Sequence, residues 1–158
     1  MNRLRTPRLH PAAGMTLLEL VVACAILMVL ASAALPTARH TIRRGQEREL
    51  RLVLREIREA IDRYKDAADR NLFQIEVGTE GYPPDLDTLV RGVSIGADGR
   101  RLRFLRRIPV DPMTGRAEWG MRSVQDDANA RSWGGQNVFD VFSLSNGRAL
   151  DGTNYADW

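Results

Sequence analysis

Hydrophobic and polar positions divide the chain into three regimes. Residues 15–35 are apolar almost without interruption, and of these 21 residues only Glu19 and the Cys24 thiol are ionisable. As a helix rising about 1.5 Å per residue the run is about 31 Å long, which matches the hydrocarbon core of a bilayer. Pro36 ends the run. It removes one helical hydrogen bond and crowds the carbonyl of Ser32, so a helix break or membrane exit is expected there. Over residues 37–68 the pattern becomes amphipathic: Leu50, Leu54, Ile57, Ile61, Tyr64 and Ala68 recur at alternating steps of four and three, one stripe of a helix. Most other positions there are charged, and Glu47/Arg51, Glu59/Arg63 and Asp66/Arg70 stand at i,i+4 in the favourable order, as expected of a solvated face. So narrow a stripe needs a small domain to cover it.

Residues 69–158 supply that domain. The stretch Tyr82-Pro83-Pro84-Asp85-Leu86-Asp87-Thr88-Leu89-Val90-Arg91-Gly92 predicts a turn, a short helix with Leu86, Leu89 and Val90 inward, and a glycine stop. Residues 93–101 read as loop, and Leu102-Arg103-Phe104-Leu105 fits either helix or extended chain. Pro109, Asp111-Pro112 and Thr114-Gly115 are turn chemistry. Ala117, Trp119, Met121 and Ser123 alternate with Arg116, Glu118, Gly120 and Arg122, the pattern of a half-buried strand. Val138-Phe139-Asp140-Val141-Phe142-Ser143-Leu144 predicts a second strand with apolar residues on both faces. The polar stretch between them, residues 125–136, reads as loop. The order of elements gives an α+β fold: a long N-terminal helix, with a membrane half and an amphipathic half, packed on a small antiparallel sheet.

Charge and composition narrow the chemistry. The net charge of +3 is carried by residues 1–14, where Arg3, Arg5 and Arg8 stand without an acid; without them the side chains sum to zero. A field-driven polyanion binder is therefore disfavoured, and no nucleic-acid partner is expected. Cys24 is the only cysteine, so no intrachain disulfide forms. The two histidines, His10 and His40, both precede the C-terminal domain, so that domain cannot assemble a Ser-His-Asp or Cys-His site or a histidine-bound zinc. No enzyme activity and no required cofactor are expected. Asp126/Asp127 sit in a polar loop and read as solvated. Trp119, Trp133, Phe139, Phe142 and Trp158 suit covering the Leu50–Ala68 stripe better than forming a ligand platform.

The acid inside the apolar run is the informative residue, because an intramembrane carboxylate is costly and usually functional. It belongs to the motif Gly14-Met15-Thr16-Leu17-Leu18-Glu19, in which a basic leader and a glycine precede the apolar run and glutamate is its fifth residue. An ordinary secretory signal is cut after its apolar region, whereas this glycine precedes it. The motif resembles the processing site of type IV pilins and type II secretion pseudopilins. The likeness extends over Ile108-Pro109-Val110-Asp111-Pro112, the Asn137-Val138-Phe139-Asp140-Val141-Phe142-Ser143 strand and the aspartate-glycine tail, where it is most like the G-type major pseudopilin.

The resemblance implies four segments: residues 1–14 a cleaved leader, 15–36 a transmembrane and filament-core helix, 37–68 an amphipathic helix, and 69–158 a small α+β periplasmic domain. It implies cleavage between Gly14 and Met15 by a prepilin peptidase on the cytoplasmic side, N-methylation of Met15, and an assembly role for Glu19 as partner of a neighbour's terminal amine. At Pro36 it implies a local bend or melting of the helix in the filament. The implied protein is a single-pass inner-membrane subunit with its C-terminal domain in the periplasm. It assembles as a homo-oligomer with minor pseudopilins, an inner-membrane platform protein and an assembly ATPase. A structural calcium ion in the C-terminal loop is also implied. Asn146, Asp151 and Asp157 are the candidate side chains and Leu144, Leu150 and Asn154 the carbonyl donors, with Asn146 standing where the family usually has an acid. A type IV pilus subunit and a membrane-anchored periplasmic binding module are the alternatives.

Overall fold

The computed structural model describes residues 16–96 and 99–158, with the backbone but not the side chains of residues 33–39. Helix α1 spans Leu17–Asp69 without interruption, so Pro36 lies inside it. Two compact units divide the chain, Met1–Thr41 and Ile42–Trp158.

In the second unit the predicted stripe of α1 is the centre of the core. Leu50, Leu54, Ile57, Ile61, Tyr64 and Ala68 are all buried, and Ala60 and Ala67 widen the contact on one side. Against them pack Leu86 and Leu89, then Phe104, Leu105, Trp119, Val138, Val141, Ala149 and Tyr155. Burying aliphatic side chains of this size contributes about 1.5–3 kcal/mol each, which is what anchors the helix to the domain.

Helix α2, Leu86–Arg91, forms as its end signals require. The Asp85 carboxylate caps it, accepting from Thr88 N–H at 2.6 Å and Thr88 Oγ1 at 2.7 Å. Gly92 stops it at φ 74°, its N–H donating to Thr88 O at 2.8 Å. Only glycine suits this position, because a Cβ would also lie 2.5 Å from Leu102 O.

Two antiparallel two-stranded sheets follow where one was expected. Strands β1, Val93–Ile95, and β2, Arg100–Leu102, pair through Val93↔Leu102, Ser94↔Arg101 and Ile95↔Arg100. Residues 93–101, read as loop, thus contain a hairpin. Leu102 ends its second strand, and Phe104 and Leu105 N–H groups then both donate to Leu89 O at 3.0 Å. Strands β3, Trp119–Arg122, and β4, Asp140–Ser143, pair through Trp119↔Ser143, Gly120↔Phe142, Met121↔Val141 and Arg122↔Asp140. Both are shorter than their apolar patterns: Ala117 is exposed, and Val138 pairs instead with Pro83 O at 2.8 Å.

Arg122 departs from the expected alternation. It is buried, lies 4.3 Å over the Phe142 ring, and donates to Ala130 O, Asp140 Oδ2 and Ala156 O. A charge so satisfied tolerates burial. Gly120 opposite Phe142 leaves room for that ring, since a Cβ there would sit 2.3 Å from it. Asp111, wholly buried, ties the Pro-Asp turn to β4, accepting from Met113 N–H at 2.7 Å and Ser143 Oγ at 2.6 Å.

Candidate functional site

Gly14 and Met15, with the leader, lie outside the described residues, so the cleavage and methylation positions have no geometry here. The helix they would lead into begins at once. Thr16 Oγ1 accepts Glu19 N–H at 3.2 Å and Thr16 O accepts Leu20 N–H at 3.1 Å, so Thr16 caps α1 and Glu19 stands at its third position. Thr-x-x-Glu is the capping-box sequence, of which the structure forms the Thr16 half. An acid in the first turn also faces the positive end of the helix dipole.

The described apolar part of α1 is unlike a core helix. Leu17, Leu18, Leu20, Val21, Val22, Ile26, Leu27, Met28, Val29 and Leu30 are all about half exposed or more, on every side of the helix. Cys24 is a free, exposed thiol. A helix apolar all round must be covered by lipid or by other helices. Among the described residues no helix is long and apolar enough to cross a membrane; the apolar run of the sequence includes residues 15 and 33–35, whose side chains are not described. Ser32 Oγ donates to Val29 O at 2.7 Å, just before the segment holding Pro36.

In the second unit the charged side chains of α1 do not form the expected i,i+4 pairs. Glu47 turns inward, where its Oε1 accepts Leu150 N–H at 2.8 Å and Tyr155 OH at 3.1 Å. Arg43 Nε donates to the same Tyr155 oxygen at 3.1 Å, and its Nη2 to Arg148 O at 2.6 Å. Arg58 binds Asp140 at 2.7 Å and donates to Val141 O and Trp158 O. Arg63 donates to Phe104 O at 3.0 Å, and Arg51 lies 4.2 Å over the Trp158 ring. Glu47/Arg51, Glu59/Arg63 and Asp66/Arg70 are thus all unformed. For the first two pairs the physical reason is that carbonyl, hydroxyl and ring partners on the domain reward Glu47, Arg51 and Arg63 more than an exposed helical pair does; nothing in the structure explains why Asp66 and Arg70 stay apart. Arg43, Glu47, Arg51 and Arg58 thus strap the C-terminal tail to α1 without a disulfide.

The three calcium candidates lie in that tail. Asp151 Oδ1 accepts from Thr153 Oγ1 at 2.6 Å and Thr153 N–H at 3.0 Å. The hydroxyl first, then the N–H, with a smaller pull from Arg51, hold its carboxyl below the usual range. Asp157 Oδ1 accepts from Arg131 at 2.6 Å and its Oδ2 from Asn154 Nδ2 at 2.8 Å. Asn146 is exposed and lines a pocket with Ser143, Leu144, Ser145 and Asn154. A cation would have to displace Arg131 and the Thr153 hydroxyl to reach both carboxylates, and no group of three His, Cys, Asp or Glu among the described residues is placed to hold a metal.

Asp126, read as solvated, organises its loop by accepting Ser123 N–H at 2.7 Å and Gly134 N–H at 3.0 Å, which lower its pKa. The five aromatics do not share a surface: Trp119 and Phe142 are buried, Trp158 is half-buried at the tail, and Trp133 and Phe139 are exposed.

Residues 9–35 match the family model described as the prokaryotic N-terminal methylation motif. No curated protein and no solved structure matches the chain. Over the matched residues, which include Gly14, Met15 and Glu19, the chain is similar to the leader and first helix of type IV pilin-like and pseudopilin subunits.

Proposed function

We propose that the chain is a structural subunit of a type IV pilin-like filament, and within that class the major pseudopilin of a type II secretion system. The observation that carries this reading is a coincidence: the methylation motif matches residues 9–35, and its described part, residues 17–32, is a helix whose apolar side chains are exposed on every side. Such a helix suits two successive environments, lipid before assembly and a bundle of like helices afterwards. In this reading prepilin peptidase cuts after Gly14, Met15 is methylated, and Glu19 offsets a neighbour's terminal amine in the filament core, where either charge alone is costly. Pro36 supplies a weak point at which the helix bends or melts on assembly. The C-terminal domain faces the periplasm, and the platform protein and assembly ATPase supply the work. The role is mechanical, with no catalytic residue. A type IV pilus subunit carries the same motif; the single cysteine, which leaves the tail without a disulfide, favours the secretion filament.

N-terminal sequencing and intact mass of the protein from its native membrane test the reading. The expected species begins at a methylated Met15. A bulky residue at position 14 should leave the leader attached, and normal yields of methylated Met15 in that variant would exclude a prepilin-type cut.

A further inference from the structure

The exposed face of α1 carries two charge blocks with one spacing. Arg48, Arg51 and Arg55 stand at steps of three and four residues, and so do Glu59, Asp62 and Asp66. All six are exposed. The blocks are eleven residues apart, about three helical turns, so they fall on one face about 16 Å apart along the axis. Among the described residues the side chains of Arg48, Arg55, Glu59, Asp62 and Asp66 make no hydrogen bond or ion pair, although Arg55 and Glu59 are only four apart. Arg51 lies over Trp158 and 3.9 Å from Asp151. Along this face Arg51, Leu54, Arg55, Glu59, Asp62 and Trp158 line a groove of about 510 Å³.

We infer that this face docks a second copy of the chain in parallel, displaced by eleven residues, so that Arg48, Arg51 and Arg55 of one copy meet Glu59, Asp62 and Asp66 of the other. This rests on the filament reading, which supplies the parallel direction, and deepens it by fixing a register. With no displacement the same faces oppose arginine to arginine and acid to acid, which is repulsive. Subunits side by side at one height in a membrane are therefore kept apart, and a subunit raised by about three turns is held. Arg70 meets Glu59 in that register as well, while one like pair, Arg44 with Arg55, works against it. In a helical array each copy has several neighbours, so this contact and the Glu19 contact belong to different ones.

The test uses the full chain, processed and assembled by its own machinery. Arg48→Glu/Arg51→Glu/Arg55→Glu and Glu59→Arg/Asp62→Arg/Asp66→Arg should each lower the sedimentable filament fraction by about tenfold or more, the scale of a single lost charge complementarity. The six-site swap should restore it. Because Arg51 also touches Trp158, Arg48→Glu/Arg55→Glu alone should follow the same course. In a Cys24→Ser background, co-expressed Arg55→Cys and Asp66→Cys copies should cross-link to each other rather than each to itself. Filaments indifferent to both reversals would overturn the register while leaving the filament reading intact. Loss on arginine reversal that the six-site swap fails to restore would overturn it too, in favour of an unrelated anionic partner. Failure of the unchanged chain to assemble, with Met15 methylated, would bring down the filament reading and this inference together.

Discussion

Glu47 is an acid on an arginine-rich helix that faces the core, and two partners explain it: Leu150 N–H and Tyr155 OH. Both come from the tail, more than a hundred residues away, and nothing local in the sequence points there. Its spacing to Arg51 suggests a surface pair, so the residue's role was hidden by its distance in sequence, not by weak chemistry. Glu47→Ala leaves the buried Tyr155 hydroxyl and the part-buried Leu150 N–H without this acceptor and should lower unfolding stability by about 1–3 kcal/mol. Denaturant unfolding of Glu47→Ala, Tyr155→Phe and the double variant should then show coupling, since the two share one bond. Additive losses would mean that the tail is held elsewhere. Asp151 offers a pH test of the same tail. Its folded carboxyl is depressed, chiefly by the Thr153 hydroxyl, so its stabilisation is present above the unfolded value near pH 4 and is lost as pH falls through the folded one. Thr153→Val removes the hydroxyl and should move the Asp151 midpoint, followed by NMR, back upward. An unchanged midpoint would assign the depression to the backbone alone.

Elements were legible in proportion to their length and period. The stripe from Leu50 to Ala68 needs a helix because six apolar residues recur over five turns, and all six are buried. The hairpin of β1 and β2 was missed because each strand is three residues long: Val93-Ser94-Ile95 alternates over too few positions to mark a strand, and Arg100 and Arg101 leave β2 no alternation. Its only sequence mark is the Asp98-Gly99 pair, a turn signature. Packing, in contrast, marks it plainly at Gly92. Gly92→Ala adds a Cβ at positive φ against Leu102 O and should cost about 1–3 kcal/mol, with loss of protection for β1 and β2 in hydrogen exchange ahead of β3 and β4. Uniform loss across both sheets would show instead that the domain opens as one unit. At the other end of the chain, Glu19 is legible twice, as the acid of the processing motif and as the third position of a capping box. The two roles separate experimentally. Glu19→Gln keeps a capping side chain but removes the charge, so it should insert and start the helix normally yet assemble poorly. Glu19→Gln assembling as well as the unchanged chain would leave only the cap.

At the scale of the whole molecule, the question is what closes a tail that has no disulfide. The described contacts answer with arginine: Arg43 and Arg58 reach from α1, Arg131 holds Asp157, and Arg122 gathers Asp140 and Ala156 O. Arg43 and Arg122 reach the main-chain carbonyls of Arg148 and Ala156, while Arg58, Arg122 and Arg131 also bind the carboxylates of Asp140 and Asp157. A calcium ion, if the same loop binds one, would compete with Arg131 for Asp157 rather than fill an open cage. Competition has a signature. Mass action raises the melting temperature of a protein whose folded state binds an ion, and removing the competitor steepens the rise. The detergent-solubilised full chain should therefore melt higher in millimolar calcium than in excess chelator, Arg131→Ala should show the larger difference, and Asp151→Ala should abolish it. Magnesium at the same concentration should do little, because its tight octahedral shell suits a loop of Asn, Asp and carbonyl groups poorly. Equal melting temperatures with and without calcium in both the unchanged chain and Arg131→Ala would mean that the tail closes without an ion.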